Sequence, residues 1–189
     1  CVVASEIFRD KITNKKDPRR QTSKSGVYGK IYGGGAETLA HVAGVPQADM
    51  ESFLAGFDRN FPEVSRLQWE LQDLAKKRQK VDGESWIRTP TGRRMVADDD
   101  MEYTLTNYLI QTHAAEIMKK KVVQLDAMLP SEAHLMLLVH DEILLEAPTE
   151  MVPELMPAIQ EVLDDHDGYR VPLTWGGDTS DKSWGHLVD

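Results

Sequence analysis

The sequence predicts an α+β protein: a mostly helical first half, then a long helix, an antiparallel β-hairpin, another helix and a terminal strand. Three observations carry this expectation. Apolar residues recur at helical spacing through most of the chain before residue 80. HLMLLV and ILLEA are two apolar runs that meet at the polar tripeptide HDE, the pattern of a hairpin with its acids at the tip. Between the halves, Val81–Val96 changes character, and its Gly83 and TPTG turn predict short strands or a hairpin.

Composition narrows the class. With 189 residues, 41% hydrophobic and 28% charged, the chain can bury a real core and is expected to be globular and soluble. A single cysteine, Cys1, permits no internal disulfide and fits a reducing, intracellular setting. No apolar run is long enough to span a bilayer, so no membrane partner is expected. A net charge of -9 argues against a generic nucleic-acid coat, but the charge is uneven. Residues 9–30 carry Arg9, Lys11, Lys15, Lys16, Arg19, Arg20, Lys24 and Lys30 against Asp10 and Asp17 alone, which leaves room for a local basic groove. A start at Cys rather than Met predicts a processed or fragmentary product.

Taken in order, VVASEIFR (residues 2–9) has a helix-compatible apolar face. Asp17 is a plausible N-cap with Pro18 in the first turn, and a central helix then runs to a stop at Gly33–Gly35. AETLAHV makes a short helix closed by Gly44 and Pro46. From Gln47, residues Met50, Phe53, Leu54 and Phe57 mark a helix that ends near Phe61–Pro62. Val64, Leu67, Leu71 and Leu74 give a longer amphipathic helix that finishes in the basic run Lys76–Lys80, where cations suit the helix dipole. The long helix is expected from Asp98 or Asp99 to about Met128, with Leu105, Leu109, Ala115, Met118, Val122 and Leu125 inward. Residues 150–166 form another helix on Val152, Leu155, Ile159 and Leu163, and Val171–Trp175 is the expected last strand.

Three constellations carry chemistry. Arg20, Lys24, Tyr28 and Tyr32 recur every fourth residue, so a helix stacks two cations and two hydroxylated rings on one face. Cations suit a polyphosphate and flat rings suit a sugar or base; the alternative is a solvated surface helix. His140–Asp141–Glu142 puts acids at a hairpin tip, a place to hold a hard cation such as Mg²⁺, unless it is only a polar turn. Asn107 and Gln111 share a helix face, with His113 nearby, and amides suit the edges of bases or an ordinary hydrogen-bonded surface.

These stretches resemble one family. RRQTSKSGVYGKIYGG is similar to the fingers-helix motif of family A DNA polymerases, Arg-x3-Lys-x3-Phe/Tyr-x3-Tyr-Gly. NYLIQTHAAEIMKK resembles that family's Asn-x3-Gln-x2-Ala-Ala-Asp/Glu helix, and LLVHDEILLEAP its last palm motif. The order matches, as do the flanks FPEVSRL, TPTGRRMV and VPLTWGGDTSDKSW, so the resemblance covers essentially the whole chain. It implies a fingers subdomain over residues 1–96 and the C-terminal part of a palm over 97–189, of a phage-like branch.

The resemblance also implies roles. Arg20 and Lys24 would grip the triphosphate of an incoming dNTP, Lys24 also giving a proton to the departing pyrophosphate. Tyr28 would pack on the sugar, where a Tyr goes with weak discrimination against dideoxynucleotides, and Tyr32 and Gly33 would lie by the templating base. Asn107 and Gln111 would contact the primer–template, His140 the primer terminus, and Arg93 and Arg94 template phosphates. Asp141, assisted by Glu142, would bind Mg²⁺ in a two-metal nucleotidyl transfer. The family's first palm motif, which carries the other metal-binding Asp, has no match here. An upstream palm, thumb and optional exonuclease segment is therefore an expected partner, in the cytoplasm of a bacterium or phage-infected cell, and the chain alone is not expected to polymerise. The competing expectation is a non-catalytic nucleic-acid-binding or assembly subunit derived from a polymerase.

Overall fold

In the computed structural model, which describes residues 4, 5, 8, 10–14, 16–164 and 168–187, the first long helix starts at a proline and ends at a glycine. Helix α1 spans Pro18–Ile31. The Asp17 side chain accepts from the Arg19 N–H, and Pro18 occupies the first turn, where its missing N–H costs nothing. Tyr32 caps the C-terminus, and Gly33 turns the chain at φ +80°. Ahead of α1, Ala4, Ser5 and Phe8 are helical, as expected of VVASEIFR. Residues 2, 3, 6, 7 and 9 lie outside the described residues, as does Cys1.

Helices α2 (Ala36–Ala43), α3 (Gln47–Asn60) and α4 (Pro62–Asp82) follow, and Gly44 and Gly83 end α2 and α4 in the left-handed conformation. Leu39, Ala40, Met50 and Phe53 form one core beneath α1, with Val27 and Leu54 packed against it. A salt bridge and two hydrogen bonds fasten the end of α1 to α3 and α4. Lys30 Nζ lies 3.0 Å from Asp58, Ser65 donates to Asp58 at 2.6 Å, and Gln68 donates to the Lys30 carbonyl at 2.9 Å.

The expected inner stripe of α4 is only partly buried. Leu67 and Leu74 are exposed, and the helix meets its neighbours through Leu71 and Ala75 instead. Ala75 is small enough to let the sheet approach closely, which leaves the larger leucines at the flanks. That sheet is the hairpin β1 (Ser85–Arg88) and β2 (Arg94–Ala97), paired antiparallel with Ile87 opposite Met95. Ile87, Met95, Ala97 and Leu105 join Ala75 in a second core.

Helix α5 spans Leu105–Met128, beginning later than the sequence predicts. Asp100 has φ +63°, which no α-helix accommodates, and Glu102–Thr104 forms a short 3₁₀ turn instead. Buried Glu102 accepts from the Ser85 hydroxyl at 2.8 Å and pins that turn to β1. Of the expected inner positions, Leu105 and Leu125 are fully buried, whereas Ala115 is exposed. The chain divides into two compact units, Cys1–His113 and Ala114–Asp189, and the division falls within α5.

In the second unit, β3 (His134–Val139) and β4 (Glu142–Glu146) form the expected hairpin, with Met136 bulged out of register. Helix α6 spans Val152–Asp164, and the end expected at residue 166 lies outside the described residues. Ile159 and Leu163 of α6 meet Leu125, with Ile143 and Leu145 of β4 against them. Lys121 is fully buried, and its ammonium donates to the Val162 carbonyl at 2.8 Å, in the last turn of α6, where a cation suits the dipole.

Val171–Trp175 does not form the expected strand. The backbone groups of Trp175 are taken by side chains of α6. Gln160 donates to the Trp175 carbonyl at 2.9 Å, and the Trp175 N–H donates to Asp164 at 3.2 Å.

The Lys30–Asp58 tie makes a pH prediction. Burial opposes ionisation of Asp58, but Ser65 and Lys30 together hold its carboxyl below the usual carboxylate range. A depressed folded-state pKa contributes stability that is present above the ordinary aspartate pKa of about 3.9 and is lost as pH falls through the folded value. Asp58→Asn should therefore lower the melting temperature at pH 7 by about 2 °C, the scale of a half-exposed ion pair. Melts between pH 7 and pH 3 should show that gap closing below about pH 4; a constant gap would contradict the assignment.

Candidate functional site

Helix α1 offers two unlike faces, and small residues decide which one is buried. Ser23 and Gly26 are buried. A Cβ at Gly26 would run into the Phe53 ring, and one at Gly29 into the Leu39 methyl groups. Ser23 turns its hydroxyl back to the Arg19 carbonyl at 2.8 Å, so the close face holds no unsatisfied polar group there. This small-residue contact was missed from the sequence, although Ser23, Gly26 and Gly29 recur every third residue.

The opposite face carries Arg20, Lys24, Tyr28 and, at the cap, Tyr32. Tyr28 is 51% exposed and Tyr32 43%, and their ring centroids lie 6.3 Å apart. Charge is divided sharply along α1. Arg19 is bound by Asp10 at 2.7 Å and Asp17 at 2.8 Å, and its guanidinium holds both carboxyls below their usual range. Lys30 is bound by Asp58. Among the described residues, Arg20 and Lys24 make no ion pair. The two cations of the stripe are thus the two that remain open to an anion.

Two further expected residues join the end of this stripe. Gln111 Nε2 donates to the Tyr32 hydroxyl at 3.3 Å, and Gly33 lies so close to Tyr103 that a Cβ there would overlap its ring. One turn before Gln111, the Asn107 Oδ1 is buried and has no partner among the described residues. An orphaned acceptor of that kind costs stability until a donor arrives.

Arg93 and Arg94 are not equivalent. Arg94 is paired with Glu84 at 2.5 Å and lies over the Trp86 ring at 4.7 Å, while Arg93 is exposed and makes no ion pair among the described residues. In the second unit, His140 opens the β3–β4 turn at φ +53°, as a two-residue hairpin turn requires of its first position. His140, Asp141 and Glu142 are all exposed.

No cluster of three or more His, Cys, Asp or Glu among the described residues could hold a metal on protein ligands alone. The donor chemistry of Asp141 and Glu142 nevertheless fits Mg²⁺, which commonly takes one or two carboxylates together with phosphate oxygens and water. No described helix is long and apolar enough to cross a membrane.

A family model described as DNA polymerase family A matches residues 1–186. The chain belongs to that family. It is 31% identical over 188 residues to the DNA polymerase of Mycobacterium phage D29, covering 98% of this chain and 29% of the relative. It is 30% identical over 169 residues to the thermostable DNA polymerase I of Thermus filiformis, covering 83% of this chain and 20% of the relative. Its fold is that of the POL domain of Pol1 from M. smegmatis, solved in complex with DNA primer-template and dNTP. That comparison has a TM-score of 0.77 at 26% identity and covers 90% of this chain and 31% of the other. The α+β class expected from the sequence is the family's. This chain spans less than a third of each of these relatives.

The glycine contact makes a stability prediction that separates the two faces of α1. Gly26→Ala drives a methyl into Phe53 and should lower the free energy of unfolding by about 1–3 kcal/mol in urea titrations. Lys24→Ala, on the open face, should change it by less than about 0.5 kcal/mol. Equal effects would mean that α1 is seated differently.

Proposed function

We propose that this chain supplies the fingers, residues 1–96, and the C-terminal part of the palm, residues 97–189, of a DNA-templated DNA polymerase. The observation that carries the proposal is the open stripe of α1, where Arg20 and Lys24 lack carboxylate partners and Tyr28 stands exposed. Membership of the family supports it, and the dNTP and primer-template are named on the M. smegmatis relative.

In this reading Arg20 and Lys24 bind the triphosphate of a dNTP, and Lys24 passes a proton to the pyrophosphate oxygen as it leaves. Tyr28 packs on the sugar, and Tyr32 with Gly33 lies against the templating base. Asn107 and Gln111 read the acceptors that every base pair shows in the minor groove, Asn107 through its amide N–H groups. His140 orients the primer terminus, while Arg93 and Arg94 take template phosphates. Asp141 and Glu142 would hold Mg²⁺, which when bound supplies charge for nucleophile activation and pyrophosphate departure. A further metal-binding carboxylate would come from a palm segment outside these residues, since nothing in this sequence matches the family's first palm motif. The half-exposed Met136, Leu137 and Leu138 of β3 support a further palm element, because so apolar an edge is costly in water.

Primer extension tests the reading. With Mg²⁺ and the upstream palm segment of a family relative supplied, extension should appear, and the chain alone should give none. Activity from the isolated chain would contradict the division of the metal site. In the complemented enzyme, Asp141→Ala should abolish extension and leave primer–template affinity within about threefold. Tyr28→Phe should make the complemented enzyme reject dideoxynucleotides more strongly in competition with dNTPs. An unchanged ratio would mean that Tyr28 does not face the sugar.

A further inference from the structure

One indole collects three guanidiniums. Arg78 of α4 lies 3.7 Å over the Trp86 ring, Arg94 at 4.7 Å and Arg88 at 5.4 Å. Trp86 and Arg88 are two apart on β1 and share a face, and Arg88 is paired in register with Arg94 on β2. Ser85, Ile87, Met95 and Ala97 fill the other, buried face, so the arginines stand on the outward side of the hairpin.

Like charges directly opposite one another across two strands destabilise the pair. Here only part of that cost is offset. Glu84 pairs with Arg94, and Asp82 is held by the indole N–H at 2.9 Å rather than by an arginine. Arg88 spends one N–H on the Gly92 carbonyl and Arg78 one on the Trp86 carbonyl, and neither makes an ion pair among the described residues. Residues 76–94 carry seven cations against two acids in a chain whose net charge is -9. Such a concentration of forks fits phosphate, which arginine binds bidentately.

We propose that the outward face of β1–β2, with the end of α4, is a surface for the phosphodiester backbone of one unpaired DNA strand. Arg78 and Arg88 are its contacts, and Trp86 positions them. The inference rests on the polymerase reading for the presence of a template strand. The indole already has a guanidinium stacked on it, so the surface follows phosphates and does not read bases. Because Arg78 and Arg88 both lie within 5.4 Å of the one Trp86 ring centroid, they fit a single phosphate track instead of reaching across a duplex.

Fluorescence anisotropy on the 189-residue chain tests this, with labelled oligothymidylate and a blunt duplex as probes between 50 and 300 mM salt. Each lost phosphate contact should flatten the slope of log affinity against log salt by about 0.7 for a single strand. Arg78→Gln with Arg88→Gln should therefore lower the oligothymidylate slope by about 1.4, with a smaller loss on the duplex. Arg78→Lys with Arg88→Lys should restore the slope, since charge and not packing sets it. Trp86→Phe should keep the slope, and Trp86→Ala should lose part of it. An unchanged slope in the double Gln variant, or a larger loss on the duplex, overturns the inference. If that happens while Lys24→Ala still stops extension by the complemented enzyme, the polymerase reading stands alone. If the parent chain binds no DNA in any arm, the inference falls, and the polymerase reading is decided by extension in the complemented enzyme.

Discussion

Helix α1 lies against its neighbours through glycine, and that contact decides which way its polar stripe faces. Gly26 meets Phe53 and Gly29 meets Leu39, at distances that no side chain would survive. Because 3.6 residues make a turn, seating Ser23, Gly26 and Gly29 inward sends Arg20, Lys24 and Tyr28 outward together. The Lys30–Asp58–Ser65 tie then holds the far end of the helix, next to the Gly33 turn. The same constraint that packs the core thus aligns a row of cations and rings in solvent.

Electrostatic pairing sorts the remaining residues. Carboxylates close to α1 are spent on Arg19 and Lys30, which leaves Arg20 and Lys24 with their charge unopposed. On β1–β2 the carboxylates are outnumbered, and the arginines gather on Trp86. At the β3–β4 tip the imbalance has the opposite sign, with Asp141 and Glu142 exposed and making no ion pair among the described residues. A fold of net charge -9 can still hold anion-binding surfaces, because each is made by local depletion of acids.

The parts of this that were legible in the sequence are those with local causes. Asp17 and Pro18 announce the start of α1, Gly33 its end, and HDE the hairpin turn, since each acts through its own backbone. Family motifs located the stripe and the tip. Leu67 and Leu74 misled because apolar spacing shows a helix without showing how closely a neighbour approaches, and small Ala75 sets that approach. Val171–Trp175 misled because an extended, β-branched segment needs a partner strand to become one, and here Gln160 and Asp164 take the backbone groups of Trp175 at its end. The Trp86 cluster depends on a pairing register and on a helix packed beside it, neither of which is written in the residues alone.

The central claim is that the outward face of α1 is where a dNTP triphosphate binds. Ultraviolet crosslinking of a photoreactive dNTP to the chain, followed by peptide mapping, measures this directly. The account predicts label within residues 20–32, displaced by unlabelled dNTP and lost in Lys24→Ala. Label that maps elsewhere, or that survives both the competitor and the substitution, would contradict it.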